Sequence, residues 1–319
     1  MAKLNEELLT HITRKPWKEN IKEALEMGEF KKDGLNLEYD GSIEDELTGH
    51  CFKFFCKCDS EPAERLERIY QSNPNNGFIT YIDKKIQQGE LPPKISVLLK
   101  NMPYEKAMNE ALGSQVLGLL GVPTCFNFVI DPEEKTKERM LGSINFMQPE
   151  KRFASCISLG MEPNSGFETV QEKYKQIELV LMGYPRDQVE KVKQQYSLMF
   201  LCRAFVIGDF DYGCNYGMIK NLTTADLISY DYEHSFHLSD ISRFEERDID
   251  TVRYTYYGLY TDFINKLKDI REVIQSGEIE IYDETHSKML KKLYSNIANV
   301  LNYHNNLSEE ERNKVYPII

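Results

Sequence analysis

Hydrophobic and polar positions change rhythm once along this chain, near residue 150. Before that point short apolar runs predominate, and after it the spacing is helical. Leu4, Leu8, Leu9 and Ile12, then Ile21, Ala24 and Leu25, predict helix over 4–28, with a break at Pro16. CFKFFCKC (51–58) alternates as a strand does. SEPAERLERIYQS (60–72) reads as a helix capped by Ser60, and NPNNG (73–77) as a turn. FITYIDKKI (78–86) and ISVLLK (95–100) read as strands joined by a loop. A helix follows over 104–120, with Met108, Leu112, Gln115 and Leu119 on its apolar stripe and Gly121 as its stop. TCFNFVI (124–130) and MLGSINFM (140–147) complete a strand-rich half.

Beyond MQPEKR (147–152) two long amphipathic helices are predicted, over 167–183 and 186–207. The second carries Val189, Val192, Tyr196, Met199, Phe200, Arg203 and Ile207. YGMI and LISYD read as short strands, helices return at about 255–275 and 284–303, and Ser308 caps a last helical start. Tyr230, Tyr232, Tyr254, Tyr256, Tyr257 and Tyr260 are expected to pack this half. The pattern is α+β and bilobal. The expected divisions are an extension over 1–72 of unassigned role, a strand-rich lobe over 73–148 and a helical lobe over 149–319.

Composition narrows the classes. The chain has 319 residues, 41% hydrophobic and 28% charged, with a formal net charge of −12. That length buries a core without help from disulfide or metal. The acidic balance argues against a broad nucleic-acid surface, but it leaves room for a small anionic ligand held by one lysine and a divalent cation. No apolar run reaches bilayer length, and MAKLNEELLTHITRKPW lacks a signal-peptide core, so a cytoplasmic protein with no membrane partner is expected. Seven cysteines, an odd number set mostly in apolar segments, suggest reduced thiols. His50, Cys51, Cys56 and Cys58 do not have the spacing of a zinc knuckle, so a strand is the better reading. His234 and His237 would need a helix to share a metal, and a structural role is expected for them.

The candidate chemistry lies in four places. Lys100 ends an apolar strand, and Glu110 sits on the next helix. Asp209, Asp211 and Asn215 crowd GDFDYGCNYGMI (208–219), and Asp231 follows an apolar strand. A strand lysine paired with a helix glutamate can hold nucleotide phosphates, and a loop aspartate can accept the proton of an attacking hydroxyl. An asparagine and a further aspartate downstream can hold Mg²⁺, which prefers oxygen ligands.

These residues, in this order, resemble the HipA-like atypical Ser/Thr kinases, a group with a protein-kinase-like fold. The resemblance rests on Lys100, on Asn109–Glu110, and on the helix close Leu120-Gly121-Val122-Pro123. It continues through the loop from Gly208 to Gly217 and the segment Ile228-Ser229-Tyr230-Asp231, and it spans about 75–240. It implies ATP and Mg²⁺ as cofactors and a protein Ser or Thr hydroxyl as substrate. Asp211 is then the catalytic base, Lys100 and Glu110 the phosphate-holding pair, and Asn215 and Asp231 the metal ligands. Asn76 and Gly77 fall where a phosphate loop belongs, and Ser143, Asn145 and Phe146 where adenine would lie. The family's Arg-His after the catalytic aspartate is Tyr212-Gly213 here, and the step from Asp211 to Asn215 is one residue short. Either the loop has lost a residue or Asp209, six before Asn215, takes the catalytic role; Asp211 is favoured. A one-residue loss shifts a ligand by up to about 3.5 Å. Other readings are a catalytically inactive nucleotide-binding or scaffold protein, adenylyl transfer to a protein, and a metal-dependent hydrolase using Asp209, Asp211 and Asp231.

Overall fold

The computed structural model describes residues 17–26, 30–31, 35–39, 53–59, 94–131, 138–144, 151–161, 169–209, 211, 213, 215–236, 246–309 and 311. The helix expected over 60–72, the turn at 73–77 and the strand at 78–86 lie outside the described residues. So do His50, Cys51, Asn76, Gly77, Asn145, Phe146 and His237.

Helix α1 occupies 17–26, as the break at Pro16 predicts. Strands β1 (Phe30–Lys31), β2 (Glu38–Tyr39), β3 (Lys53–Asp59) and β4 (Lys94–Pro103) follow, then helix α2 (Tyr104–Leu120), β5 (Asn127–Asp131) and β6 (Glu138–Ile144). Among the described residues they form one sheet in the order β1-β5-β6-β4-β3-β2. All its pairings are antiparallel except β1 with β5. Three strands from residues 30–59 thus belong to the same sheet as β4–β6. The sheet therefore crosses the boundary expected at 72. In β3, Cys56 and Cys58 are buried on either side of exposed Lys57, as strand alternation requires. Burial, then nearby Asp59, pushes the Cys58 thiol up to about 12. A thiol held neutral in this way is structural.

Helix α2 departs from its predicted amphipathic form, because every residue from Ala107 to Leu120 is buried. It runs between the sheet and the second lobe, so both faces meet protein. Gly121 ends it at φ 93°, the left-handed cap its sequence position announces.

The second lobe opens with β7 (Arg152–Ser155), a short strand ahead of the helix expected from 167. It pairs with β8 (Tyr216–Lys220), which pairs with β9 (Ala225–Ser229). Helices α3 (Val170–Val180), α4 (Arg186–Leu201), α5 (Glu246–Thr255), α6 (Tyr257–Ser276) and α7 (Glu284–Asn306) surround this small sheet. Thr169 and Glu172 close a capping box at α3. Ser308 and Glu311 exchange the same pair of bonds near the end of the chain, at 3.1 and 2.8 Å. Tyr232, Tyr256 and Tyr260 are buried, as expected of the tyrosine-rich region. No helix among the described residues is long and apolar enough to cross a membrane.

The lobes meet where the chain leaves α2. Ser229 N donates to Pro123 O at 2.9 Å and Cys125 N donates to Ser229 O at 3.0 Å, so the end of β9 is bonded to the α2–β5 turn.

Candidate functional site

Lys100 lies on β4, opposite Lys53 on one side and Leu141 on the other. Its side chain turns inward to α2, where Nζ stands 2.9 Å from Glu110 Oε1. Glu110 is fully buried and Lys100 is 8% exposed. A charge buried this deeply demands partners. The second oxygen of Glu110 accepts from Asn127 Nδ2 at 3.0 Å. Asn127 in turn accepts from the Ser143 hydroxyl. Asn127 is a site residue the sequence reading missed, although an amide inside the apolar run TCFNFVI is a visible signal. Ser143, expected beside adenine, lies between the β4 and β5 ladders with its hydroxyl bonded to Asn127.

Burial pulls the Lys100 ammonium down, but Glu110 and then Asp231 outweigh it and leave its pKa raised. Burial pushes the Glu110 carboxyl up, with Lys100 opposing and Asp231 adding to the rise. Asp231 therefore faces this pair from the other lobe. Cys125 lies in the same field. Its burial, against Lys100, pushes the thiol up to about 12.

The loop and the Asp231 segment are organised by a second residue the sequence reading left as an ordinary helix position. The single helix expected over 186–207 is α-helical only to Leu201; Cys202–Val206 is a π turn. The wider turn directs Arg203 inward, and such turns recur at functional sites. Arg203 is fully buried. Its Nε donates to Asp209 Oδ2 at 2.9 Å, and Nη2 adds a short bond to the same oxygen. Nη1 donates to Asn215 O at 2.8 Å, Tyr230 O at 2.9 Å and Ser229 Oγ at 3.0 Å. Nη2 also donates to Asp231 O at 2.7 Å. One guanidinium thus ties the loop holding Asn215 to the segment holding Asp231. Only the five-donor fork of arginine reaches so many acceptors. Asp231 has φ 63°, a left-handed conformation unusual for a residue with a side chain. The bonds from Arg203 hold it there.

Asp209 is held on both of its oxygens. It is 1% exposed, its Oδ2 faces Arg203, and its Oδ1 accepts from Asp211 N at 2.9 Å. With both oxygens engaged it holds the loop and has no open face for a substrate proton. Asp211 is exposed. Asn215 Nδ2 donates to Asp211 O at 2.9 Å and to Asp211 Oδ2 at 3.3 Å. Tyr230 N donates to Asn215 O at 3.0 Å, which extends the β8–β9 pairing and sets Asp231 one residue beyond Asn215's partner.

Lys100, Glu110 and Asp231 therefore come together between the lobes, with Asn215 tied to the Asp231 segment through its backbone and Asp211 at the solvent edge. Lys100 faces two carboxylates, Glu110 and Asp231, while Arg203 and Asp209 neutralise each other. The excess negative charge, the Asn215 amide oxygen and the Asp231 carboxylate form a donor set suited to Mg²⁺ beside phosphate oxygens. No three His, Cys, Asp or Glu side chains among the described residues are grouped to hold a metal by themselves. His234 is half-exposed and rests 3.2 Å from Glu233. A separate cavity of about 370 Å³ opens on the helical lobe between Leu181, Tyr184, Glu190, Lys193 and Tyr256. It holds none of the expected site residues. Its Glu190 already bonds Tyr256 at 3.0 Å and Lys193 at 3.1 Å, so the interlobe cluster carries the functional argument.

A strand-rich lobe, a helical lobe, and a strand lysine paired with a helix glutamate between them make a bilobal, protein-kinase-like fold. Among solved structures the chain is similar to the proinflammatory kinase CtkA of Helicobacter pylori, with a TM-score of 0.52 and 12% identity over 88% of this chain and 100% of that one. It also aligns with a chain of the Shewanella oneidensis MR-1 HipA–HipB toxin–antitoxin complex with operator DNA, at a TM-score of 0.46 and 12% identity, over 68% of this chain and 60% of that one. The CtkA match shows the fold, and the HipA alignment adds no argument of its own. No protein-family model matches the chain, and no curated protein is similar to it in sequence.

Proposed function

We propose that the chain is an ATP- and Mg²⁺-dependent phosphotransferase acting on a protein Ser or Thr hydroxyl. The observation that carries the reading is the meeting of the Lys100–Glu110 pair with Asp231 between the lobes. Lys100, oriented by Glu110 at 2.9 Å, would bind nucleotide phosphate oxygens. Asn215 and Asp231 would hold Mg²⁺, which neutralises phosphate charge when bound. Asp211, at the exposed edge, would orient the substrate hydroxyl and accept its proton. In such chemistry positioning and charge compensation do most of the work. The substrate class and a cytoplasmic location are proposed on the family resemblance.

Calorimetry with ATP, with and without Mg²⁺, on the wild type and Asp231→Ala tests the site. Micromolar binding that requires Mg²⁺ and Asp231 supports it; no binding at millimolar ATP defeats it. Transfer of a γ-phosphate label to protein, lost in Asp211→Asn, tests the reaction. An α-phosphate label on the product would instead mean adenylyl transfer.

A second reading has an observation behind it. Asp211 Oδ2 accepts from Asn215 Nδ2 within the shortened loop, at 3.3 Å, so base and ligand partly occupy each other. This favours a nucleotide-binding protein without catalysis. Binding with no transfer, in wild type as in Asp211→Asn, would select it.

A further inference from the structure

Helix α2, which carries Glu110, is tied directly to the segment that carries Asp231. Asn109 Nδ2 donates to the Glu233 carbonyl at 3.0 Å. One turn earlier, Lys106 Nζ stands 3.0 Å from Glu233 Oε2. One turn later, Gly113 leaves room for the same segment: a Cβ there would lie 3.0 Å from Tyr232 Cβ and 3.4 Å from Ser235 Oγ. Residues 106, 109 and 113 share one face of the helix. The neighbouring Glu110 points elsewhere, to Lys100. The helix therefore grips the Asp231 segment on one face and presents Glu110 from another.

We propose that Asn109, through the Glu233 carbonyl, is a positioning residue that couples the Lys100–Glu110 pair to the Asp231 carboxylate. Nucleotide phosphates and a divalent cation then bind cooperatively. The inference rests on the nucleotide site proposed above. Its physical basis is that any shift of α2 withdrawing Glu110 from Lys100 also breaks the bond to Glu233. That bond is one of the contacts holding the segment after Asp231, whose φ of 63° needs outside support. Protein kinases commonly set the corresponding helix by phosphorylating an activation loop. Here the contact is made by an amide and a carbonyl, with no phosphoryl group required. The two ties differ in weight. Lys106 and Glu233 are 40% and 24% exposed, so their ion pair is worth little. Asn109 is 9% exposed, less than either of them, so its bond is the better shielded of the two.

The test uses the full chain and a non-hydrolysable ATP analogue, with Kd measured by calorimetry in the presence and absence of Mg²⁺. The ratio of the two constants measures the coupling. Asn109→Ala is expected to lower that ratio about fivefold, the worth of one shielded hydrogen bond. Glu233→Gln keeps the carbonyl and is expected to change it less than about twofold. A lowered melting temperature with an unchanged ratio in Asn109→Ala would make the bond merely structural and overturn the proposal. Should Asn109→Ala fail to fold, Gly113→Ala presses the same contact apart without removing a hydrogen bond. The same fall in ratio is expected, and an unchanged ratio overturns the coupling. Absence of analogue binding by the wild type would instead defeat the nucleotide reading, and this coupling with it.

Discussion

Replacing Arg203 by Met isolates the device that holds the loop to the Asp231 segment. Methionine fills much of the same volume but leaves the Asp209 carboxylate, 1% exposed, without its cation. Breaking a buried ion pair from one side costs about 3–5 kcal/mol. Asn215 O, Ser229 Oγ, Tyr230 O and Asp231 O lose a donor as well. Against a total stability of about 5–15 kcal/mol, the variant is expected to lose a large fraction of its stability at 25 °C. Urea denaturation at neutral pH, followed by far-UV circular dichroism, measures the loss. The double variant Arg203→Met with Asp209→Asn removes both charges, so it should recover most of it. It should remain below wild type by about 1–3 kcal/mol for the unsatisfied carbonyls. Arg203→Lys should fall between the two, since one ammonium has three protons where the guanidinium has five. A loss under about 1 kcal/mol in Arg203→Met, or a double variant no more stable than the single, would refute the claim that this pair organises the loop.

Three further outcomes follow from other contacts. Asp226 has its carboxyl pushed up by burial but pulled further down by Lys191, Gln195 and Lys151, for a net lowering. A lowered folded value contributes stability above the unfolded pKa, about 3.9, and loses it as pH falls through the folded value; Asp226→Asn should therefore be less stable than wild type at pH 7 and converge with it in acid unfolding curves. His286 is pulled down by burial, against the Leu25 carbonyl, Asp283 and Glu26. Its Nδ1 accepts from Tyr282 N at 3.2 Å and its Nε2 meets Leu25 O at 2.8 Å. Stability from the neutral ring is complete above the unfolded value of about 6.5 and is lost as pH falls through the folded one. Trp17, the chain's single tryptophan, bonds Asp269 at 3.0 Å, so its emission should redden as α1 loosens at mildly acidic pH; constant emission down to pH 5 would contradict this. Gly217→Ala would place a Cβ 2.5 Å from Phe153 Cε2 and 2.6 Å from Ala154 O, a backbone atom with little room to move. A loss of about 1–3 kcal/mol is expected in thermal unfolding.

The elements that carry the candidate site were legible in the sequence, because its residues sit at element ends that local chemistry marks. Lys100 closes an apolar run, Glu110 lies early in a helix that Gly121 stops, and Asp231 follows a short strand. Periodicity placed α2 and the helical half well, since caps and spacing are local properties. It misjudged α2 as one-sided, because a helix between two lobes is buried on every face. It missed β7, whose four residues alternate too briefly to stand out from the helices around it. It divided the chain at 72, because the pairing of β1–β3 with later strands is a long-range choice that no local window contains.

The roles of the two buried polar residues were decided only by tertiary structure. Arg203 reads as one more position on an amphipathic helix until a π turn aims it at five partners from separate stretches of chain. Asn127 reads as a polar interruption in a strand until the sheet sets it against Glu110. Asp209 and Asp211 are alike in sequence, two residues apart in one loop. Burial beside Arg203 makes the first a structural anion, and the second is left exposed. The sequence by itself determined which residue types were available and on which elements they would ride, since those follow from contacts a few residues apart. Which carboxylate is sequestered, which helix couples the lobes and where charge remains uncompensated depend on groups distant along the chain, and folding alone brings those together.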